Sequence, residues 1–159
     1  MKAGSLTFFS GKMGAGKTTR SRQIAQERNA VLLSEDEWLE AVYPGCITSL
    51  DDYIHYSAQL RPQIKKLVQS ILVAGTDVVM DFPANTITQR NWFRSIFSEV
   101  KAQHELIYID LPDSVCLEQI GQRRIEQPAR ARTDTDAMFV QVTKYFVAPT
   151  SDEGFNVVS

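Results

Sequence analysis

The sequence predicts an α/β fold, a five-stranded parallel sheet with helices on both faces, and three observations carry that expectation. Short apolar runs alternate with helical stretches along all 159 residues. The runs are almost continuously apolar, as strands covered on both faces are, and strands separated by helices imply parallel crossovers. Between the first run and the first helical stretch lies the glycine-rich turn "GKMGAGKTTR", residues 11–20.

The first strand is "LTFF", residues 6–9, opening into that turn. A helix follows from Lys17 to about Arg28, with Ile24 and Ala25 on one face and Asn29 at its close. "AVLLS", 30–34, is the second strand. Within 51–74, Leu60, Ile64, Leu67, Val68 and Ile71 recur at three- and four-residue spacing, which predicts an amphipathic helix, and Pro62 predicts a kink or break in it. "DVVMDF", 77–82, is the third strand, and Trp92, Phe93, Ile96 and Phe97 mark the next helix. "LIYIDL", 106–111, is the fourth strand, with Leu117 and Ile120 on the helix after it. Met138, Phe139, Val142, Tyr145 and Phe146 form a last helical stripe, and "GFNVV" is the fifth strand. Neither repeat nor linker interrupts the series, so one domain over 1–159 is expected, with an arginine-rich lid at about 123–135.

Composition narrows the function classes. With 43% hydrophobic and 23% charged residues the chain can bury a real core. A formal net charge of −2 supplies no global positive field toward nucleic acid or anionic lipid. No apolar run is long enough for a membrane span or a secretory signal, so a cytoplasmic protein is expected. Cys46 and Cys116 lie far apart and in no metal-ligand spacing, which suits free thiols. No pattern specifies an oligomeric state.

Gly11, Gly16, Lys17 and Thr18 satisfy G-x-x-x-x-G-K-[ST], in the strand-to-helix context that the motif requires. The segment Gly11, Lys12, Met13, Gly14, Ala15, Gly16, Lys17, Thr18 and Thr19 is therefore expected to cradle phosphates on its backbone N–H groups. Lys17 would reach the β and γ phosphates and the Thr18 hydroxyl would ligate Mg²⁺, with the helix N-terminus favouring the same anion. Asp81, at the end of the third strand, is expected to hold that Mg²⁺ through water. The sequence has no N-K-x-D stretch to read guanine and no large accessory domain to convert hydrolysis into motion, which favours transfer to an acceptor.

"LLSEDEWLEAVYPG" sets Glu35, Asp36 and Glu37 after the second strand, where a carboxylate can serve as base for an attacking hydroxyl. The same residues also suit an acidic helix start. "GQRRIEQPARARTD" holds Arg123, Arg124, Arg130 and Arg132, and lid arginines can neutralise the charge spread during phosphoryl transfer. Arg124 and Arg130 are the expected contributors, although an arginine run also fits a solvated face. Asp52, Tyr53, His55, Tyr56 and Arg61 stand near the acceptor side; one reading has His55 hydrogen-bond an acceptor, and the favoured one has it and the tyrosines pack or face solvent. His104 falls in a polar turn before a strand, without a role.

Taken together, "GKMGAGKTT", "SEDEW", "VVMDFPANTITQRNWF", "LIYIDLPDSVCLEQIGQRR" and "YFVAPTSDEGF" resemble the small P-loop kinase family, over essentially the whole chain. That family includes the polynucleotide 5′-hydroxyl kinases, chloramphenicol phosphotransferase and zeta-toxin-like enzymes. The resemblance implies a P-loop NTPase fold, ATP with Mg²⁺, Asp36 as general base beside Trp38, and lid arginines at Arg124 and at Arg130 or Arg132. Asp81 matches a position where such kinases read "DTN", but this chain reads "DFPAN", so the substrate does not carry over. The expected function is transfer of the γ-phosphate of ATP to a hydroxyl of a small-molecule acceptor, with Lys17, Asp36, Arg124 and Arg130 as catalytic residues. One alternative is a polynucleotide 5′-hydroxyl kinase, disfavoured because the only basic cluster is the lid. Another is a nucleotide-dependent binding or regulatory module without transfer. The "PTSDEGF" segment recurs in bacterial members and carries no mechanism that the sequence reveals.

Overall fold

The computed structural model describes residues 2–128, 130 and 134–159. Its elements are β1 (Leu6–Gly11), α1 (Lys17–Arg28), β2 (Val31–Ser34), α2 (Glu35–Val42), α3 (Leu50–Val73), β3 (Val78–Pro83), α4 (Ile87–Glu99), β4 (His104–Ile109), α5 (Asp113–Glu126), α6 (Asp136–Thr143) and β5 (Val157–Val158). The five strands form one sheet in the order β2-β3-β1-β4-β5, and every pairing is parallel. This is the α/β architecture that the alternation of runs predicts.

Side-chain alternation along each strand divides the core into two layers. Leu6 and Phe8 of β1, Val78 and Met80 of β3 and Leu106 of β4 face α3 and α4, where Ile64, Val68, Phe93 and Ile96 meet them. Phe9, Val79 and Ile107 point the other way, onto Ile24 and Ala25 of α1. Phe8 stacks on Phe93 with ring centroids 4.5 Å apart. A third cluster, Ala15, Cys116, Ile120 and Phe139, joins the glycine turn to α5 and α6.

All six residues of β1 are buried, and the strand pairs with β3 on one side and β4 on the other. The β1–β3 register runs from Leu6↔Val78 to Phe8↔Met80 and then jumps to Phe9↔Pro83. Asp81 thereby leaves the β1 ladder and pairs with Ser34 of β2, where the chain leaves β1 for the glycine turn. Ligands of open parallel sheets bind beyond these carboxyl ends of the strands.

Three local expectations need correction. Pro62 does not break α3, which runs unbroken from Leu50 to Val73. Pro62 and Ala58 both lie on the exposed side, so the Ala58 carbonyl that loses its N–H partner stays solvated. Tyr145 and Phe146 fall beyond the end of α6, and Phe139 is that helix's buried residue. His104 opens β4 rather than sitting in a turn, stacks on Phe97 with centroids 3.9 Å apart, and accepts the Asn156 N–H at Nε2.

Phe93→Ala should cost about 3–5 kcal/mol, because it removes a fully buried ring from the centre of the larger layer. Urea unfolding followed by circular dichroism measures that loss.

Candidate functional site

The glycine turn is held from three directions. Ala15 N–H donates to the Lys12 carbonyl at 3.0 Å and closes the turn on itself. Gly14, at φ 82°, packs so tightly on α5 that a Cβ would lie 2.5 Å from the Cys116 carbonyl oxygen and 2.7 Å from Ile120 Cγ1. The Gly11 N–H donates to Asn85 Oδ1 at 3.0 Å, tying the turn to the loop after β3. Gly16, at φ 97°, caps α1 without a side-chain bond, leaving the first N–H groups of that helix facing the turn.

Lys17 arches back, with Nζ donating to the Gly11 carbonyl at 2.6 Å. Burial pushes its ammonium below the ordinary value, Asp81 opposes that, Arg123 adds to it, and Asp36 opposes it again. Lys12 instead reaches outward to Asp113 at 2.7 Å. Met13 packs against the Cys116 and Ile120 cluster, and Thr19 is exposed.

Thr18 Oγ1 donates to Asp81 Oδ2 at 2.8 Å. Burial raises the Asp81 carboxyl, while the Thr18 bond lowers it. A hydroxyl and a carboxylate meeting at the mouth of the turn fit Mg²⁺, which takes few protein oxygens and fills its octahedron with water and phosphate oxygens.

Across from Thr18, the first turn of α2 presents Asp36, whose Oδ2 accepts from Arg130 Nη2 at 3.2 Å. Arg130 Nε donates to Asp134 Oδ2 at 2.7 Å, and Arg123 donates to both Asp134 oxygens, each at 2.7 Å. Asp134 is 1% exposed, so a buried carboxylate couples the two arginines. Arg124 reaches toward α6, with Nη1 donating to the Asp134 carbonyl at 3.1 Å and lying 3.4 Å from Asp136. Arg132 lies outside the described residues. Thr18, Arg22, Ser34, Asp36, Glu40 and Arg130 line a common cavity of about 420 Å³, within the size range of small-ligand sites.

Glu35, one residue before Asp36, is buried at 4% exposure. It accepts from the Tyr53 hydroxyl at Oε1 and from Ser57 Oγ at Oε2, 2.9 Å away, bonding α2 to α3. Burial pushes its carboxyl up to about 7, against the lowering effect of the Tyr53 bond and with a further rise from Asp36. Tyr53 thus does more than pack. Tyr56 does pack, on Tyr43 at 4.5 Å between centroids, and His55 is exposed. Sequence reasoning missed Asn85 and Asp134, whose partners lie on other segments, and it left Glu35 undistinguished among three adjacent carboxylates.

The family model described as an AAA domain matches residues 6–147. The chain belongs to that family. Its fold is that of the small P-loop kinases. A putative kinase from Chloroflexus aurantiacus superposes with a TM-score of 0.78 at 20% identity, covering 99% of this chain and 87% of its own. Kti12 of Chaetomium thermophilum, in complex with ADP-AlF3, gives 0.68 at 15% identity, with 97% and 88% covered. The APS kinase CysC of Mycobacterium tuberculosis, in complex with AMPPNP and APS, gives 0.66 at 14% identity, with 94% and 86% covered. No relative among curated proteins matches the chain. Among the described residues of this AAA-domain chain, no helix is long and apolar enough to cross a membrane.

Glu35 binds its proton more tightly folded than unfolded, where the ordinary value is 4.5. Its contribution is fully present below about 4.5 and is lost as pH rises through about 7. Glu35→Gln removes that loss, so its stability relative to the native chain should improve by up to about 3 kcal/mol between the two ends of the window. Urea unfolding at pH 4.5 and pH 8 measures the difference.

Proposed function

We propose that this chain is a P-loop kinase that transfers the γ-phosphate of ATP to a hydroxyl of a small molecule. The observation that carries the proposal is the common cavity, in which Thr18 of the cradle and Asp36 of α2 stand on one wall system. Nucleotide binding is supported by the cradle's geometry and by structural neighbours solved with AMPPNP or ADP-AlF3.

Thr18 and Asp81 are the residues that would hold Mg²⁺, which would supply positive charge to the phosphates. The amides of 12–18 grip the phosphate oxygens, and the half-buried Lys17, held over the Gly11 carbonyl, neutralises their charge. Asp36 accepts the proton of an acceptor hydroxyl placed in the cavity, in line with the γ-phosphoryl group. Arg130 is bonded to Asp36 and backed by Asp134, so it can leave the carboxylate for the phosphoryl oxygens as their charge redistributes. Asp134 also holds Arg123, which places a second cation behind the first. Arg124 steadies the start of α6 and supports the same lid.

The cavity lining mixes acidic with basic side chains, whereas a polynucleotide needs an extended basic groove, and the net charge is −2, which favours a small acceptor. The test is transfer from γ-labelled ATP with Mg²⁺ to a panel of nucleosides, sugars, hydroxylated antibiotics and a 5′-hydroxyl oligonucleotide. Label on a small hydroxyl compound is expected. Label on the oligonucleotide would establish the polynucleotide kinase reading instead, and tight ATP binding with label on nothing would establish a regulatory module. With the acceptor in hand, Asp36→Asn should lower kcat by about 10²–10⁴-fold, the range for losing a general base, while nucleotide affinity holds. Lys17→Ala should weaken both, as calorimetric titration and turnover would show.

A further inference from the structure

The segment "PTSDEGF" is the motif of the sequence that the site described above leaves without a task. Its contacts form an unbroken series back to the cradle. Glu153 accepts the Thr150 N–H at Oε2, 2.9 Å, closing a capping box over the short turn Ser151–Glu153, and accepts Arg90 Nε at Oε1, 2.7 Å. Arg90 is fully buried, and its Nη1 donates to the Ala84 carbonyl at 2.9 Å and to the Val147 carbonyl at 2.8 Å. The Val147 N–H in turn donates to the Asn85 carbonyl at 2.8 Å. Asn85 Oδ1 then receives the Gly11 N–H, the first amide of the cradle. Outside this series, Arg94 donates to the Glu153 carbonyl and its guanidinium lies 4.1 Å from the centre of the Phe155 ring.

A guanidinium with no access to water tolerates few arrangements of its acceptors, because each unmade bond leaves a desolvated charge. The acceptors of Arg90 Nε and Nη1 come from two segments, the loop 84–86 and the tail 147–153, so those three bonds fix one segment against the other, while the buried Nη2 meets no partner. Asn85 extends that fixed geometry to the point where β1 becomes the cradle. We propose that residues 147–154 are a strap, buckled by the Arg90–Glu153 ion pair, that presets the phosphate cradle through Asn85. Glu153, Arg90 and Asn85 are then positioning residues for nucleotide, a role that rests on the reading of the cradle as a nucleotide site.

The test uses the full chain and two readouts, amide hydrogen exchange of residues 11–16 without ligand and the Kd for Mg²⁺·AMPPNP. Glu153→Gln keeps an acceptor for Thr150 but withdraws the charge from Arg90. It should speed exchange of the cradle amides about tenfold or more, by making local opening easier. It should weaken AMPPNP binding about tenfold, equivalent to about 1.4 kcal/mol. Asn85→Ala should do the same with the Arg90–Glu153 pair intact, and it carries the test if Glu153→Gln does not fold. The double variant should bind no more weakly than Asn85→Ala, because the strap acts through Asn85. As a control, Lys65→Ala removes the remote Lys65–Glu99 pair and should leave cradle exchange unchanged. Unchanged cradle exchange in both single variants, additive losses in the double variant, or equal acceleration in Lys65→Ala would each overturn the strap. A native chain that fails to bind AMPPNP would overturn the nucleotide reading, and the strap's role in affinity with it. Unchanged exchange in a chain that does bind overturns the strap alone.

Discussion

The site depends first on the burial of β1. A strand covered on both faces and paired on both edges has one position and one register, so the turn that leaves it starts from a fixed point. Moving Phe8 or Phe9 by one residue would exchange the two layers of the core, and the cradle would lose its place on α5. The same strand sets its distance from Asp81, because the β1–β3 register breaks between Phe8 and Phe9. That break lies at the carboxyl ends of the strands, where Thr18 and Asp81 meet. Gly14 completes the constraint from the other side, since its contact with α5 leaves no room for any side chain.

Around this fixed turn, charges are stacked in alternating sign. Lys17 feels the charges of both Asp81 and Asp36, Asp36 accepts from Arg130, and Arg130 and Arg123 both donate to Asp134. Asp134, the buried member, interacts more strongly with its arginines than an exposed carboxylate would, and removing them would leave it uncompensated. Under the proposed function, this arrangement would accept a polyanion and its cation together, the phosphates drawing on the arginines and the metal on the carboxylates. Glu35 belongs to a different layer. It faces Tyr53 and Ser57 instead of the cavity, and it orients α2 so that the next residue points at the cradle.

Much of this was legible in the sequence because it is local. A glycine turn between an apolar strand and a helix carries its own signature, and the buried parallel strands announce themselves as apolar runs. What stayed hidden depends on helical phase or on distant partners. Adjacent residues on a helix point about 100° apart, so Arg123 and Arg124, or Glu35 and Asp36, cannot be told apart without knowing which face is inward. Asn85 meets Gly11 across 74 residues and Glu153 meets Arg90 across 63, separations at which no spacing rule applies. Pro62 misleads for a related reason, since its cost depends on whether the freed carbonyl is solvated, and that is a property of the packed structure. Tyr145 and Phe146 continue the apolar spacing of α6 although the backbone has already left the helix.

Under the proposed function the phosphoryl donor and Asp36 face one cavity. The crystal structure of the chain with Mg²⁺ and AMPPNP tests it most directly. The account expects the terminal phosphorus beside Lys17 Nζ and within about 6 Å of an Asp36 carboxylate oxygen, the span that one in-line hydroxyl bridges between base and phosphorus. A terminal phosphate turned away from the cavity, with Asp36 still closed off by Arg130 and too far for a single hydroxyl to bridge, would contradict it.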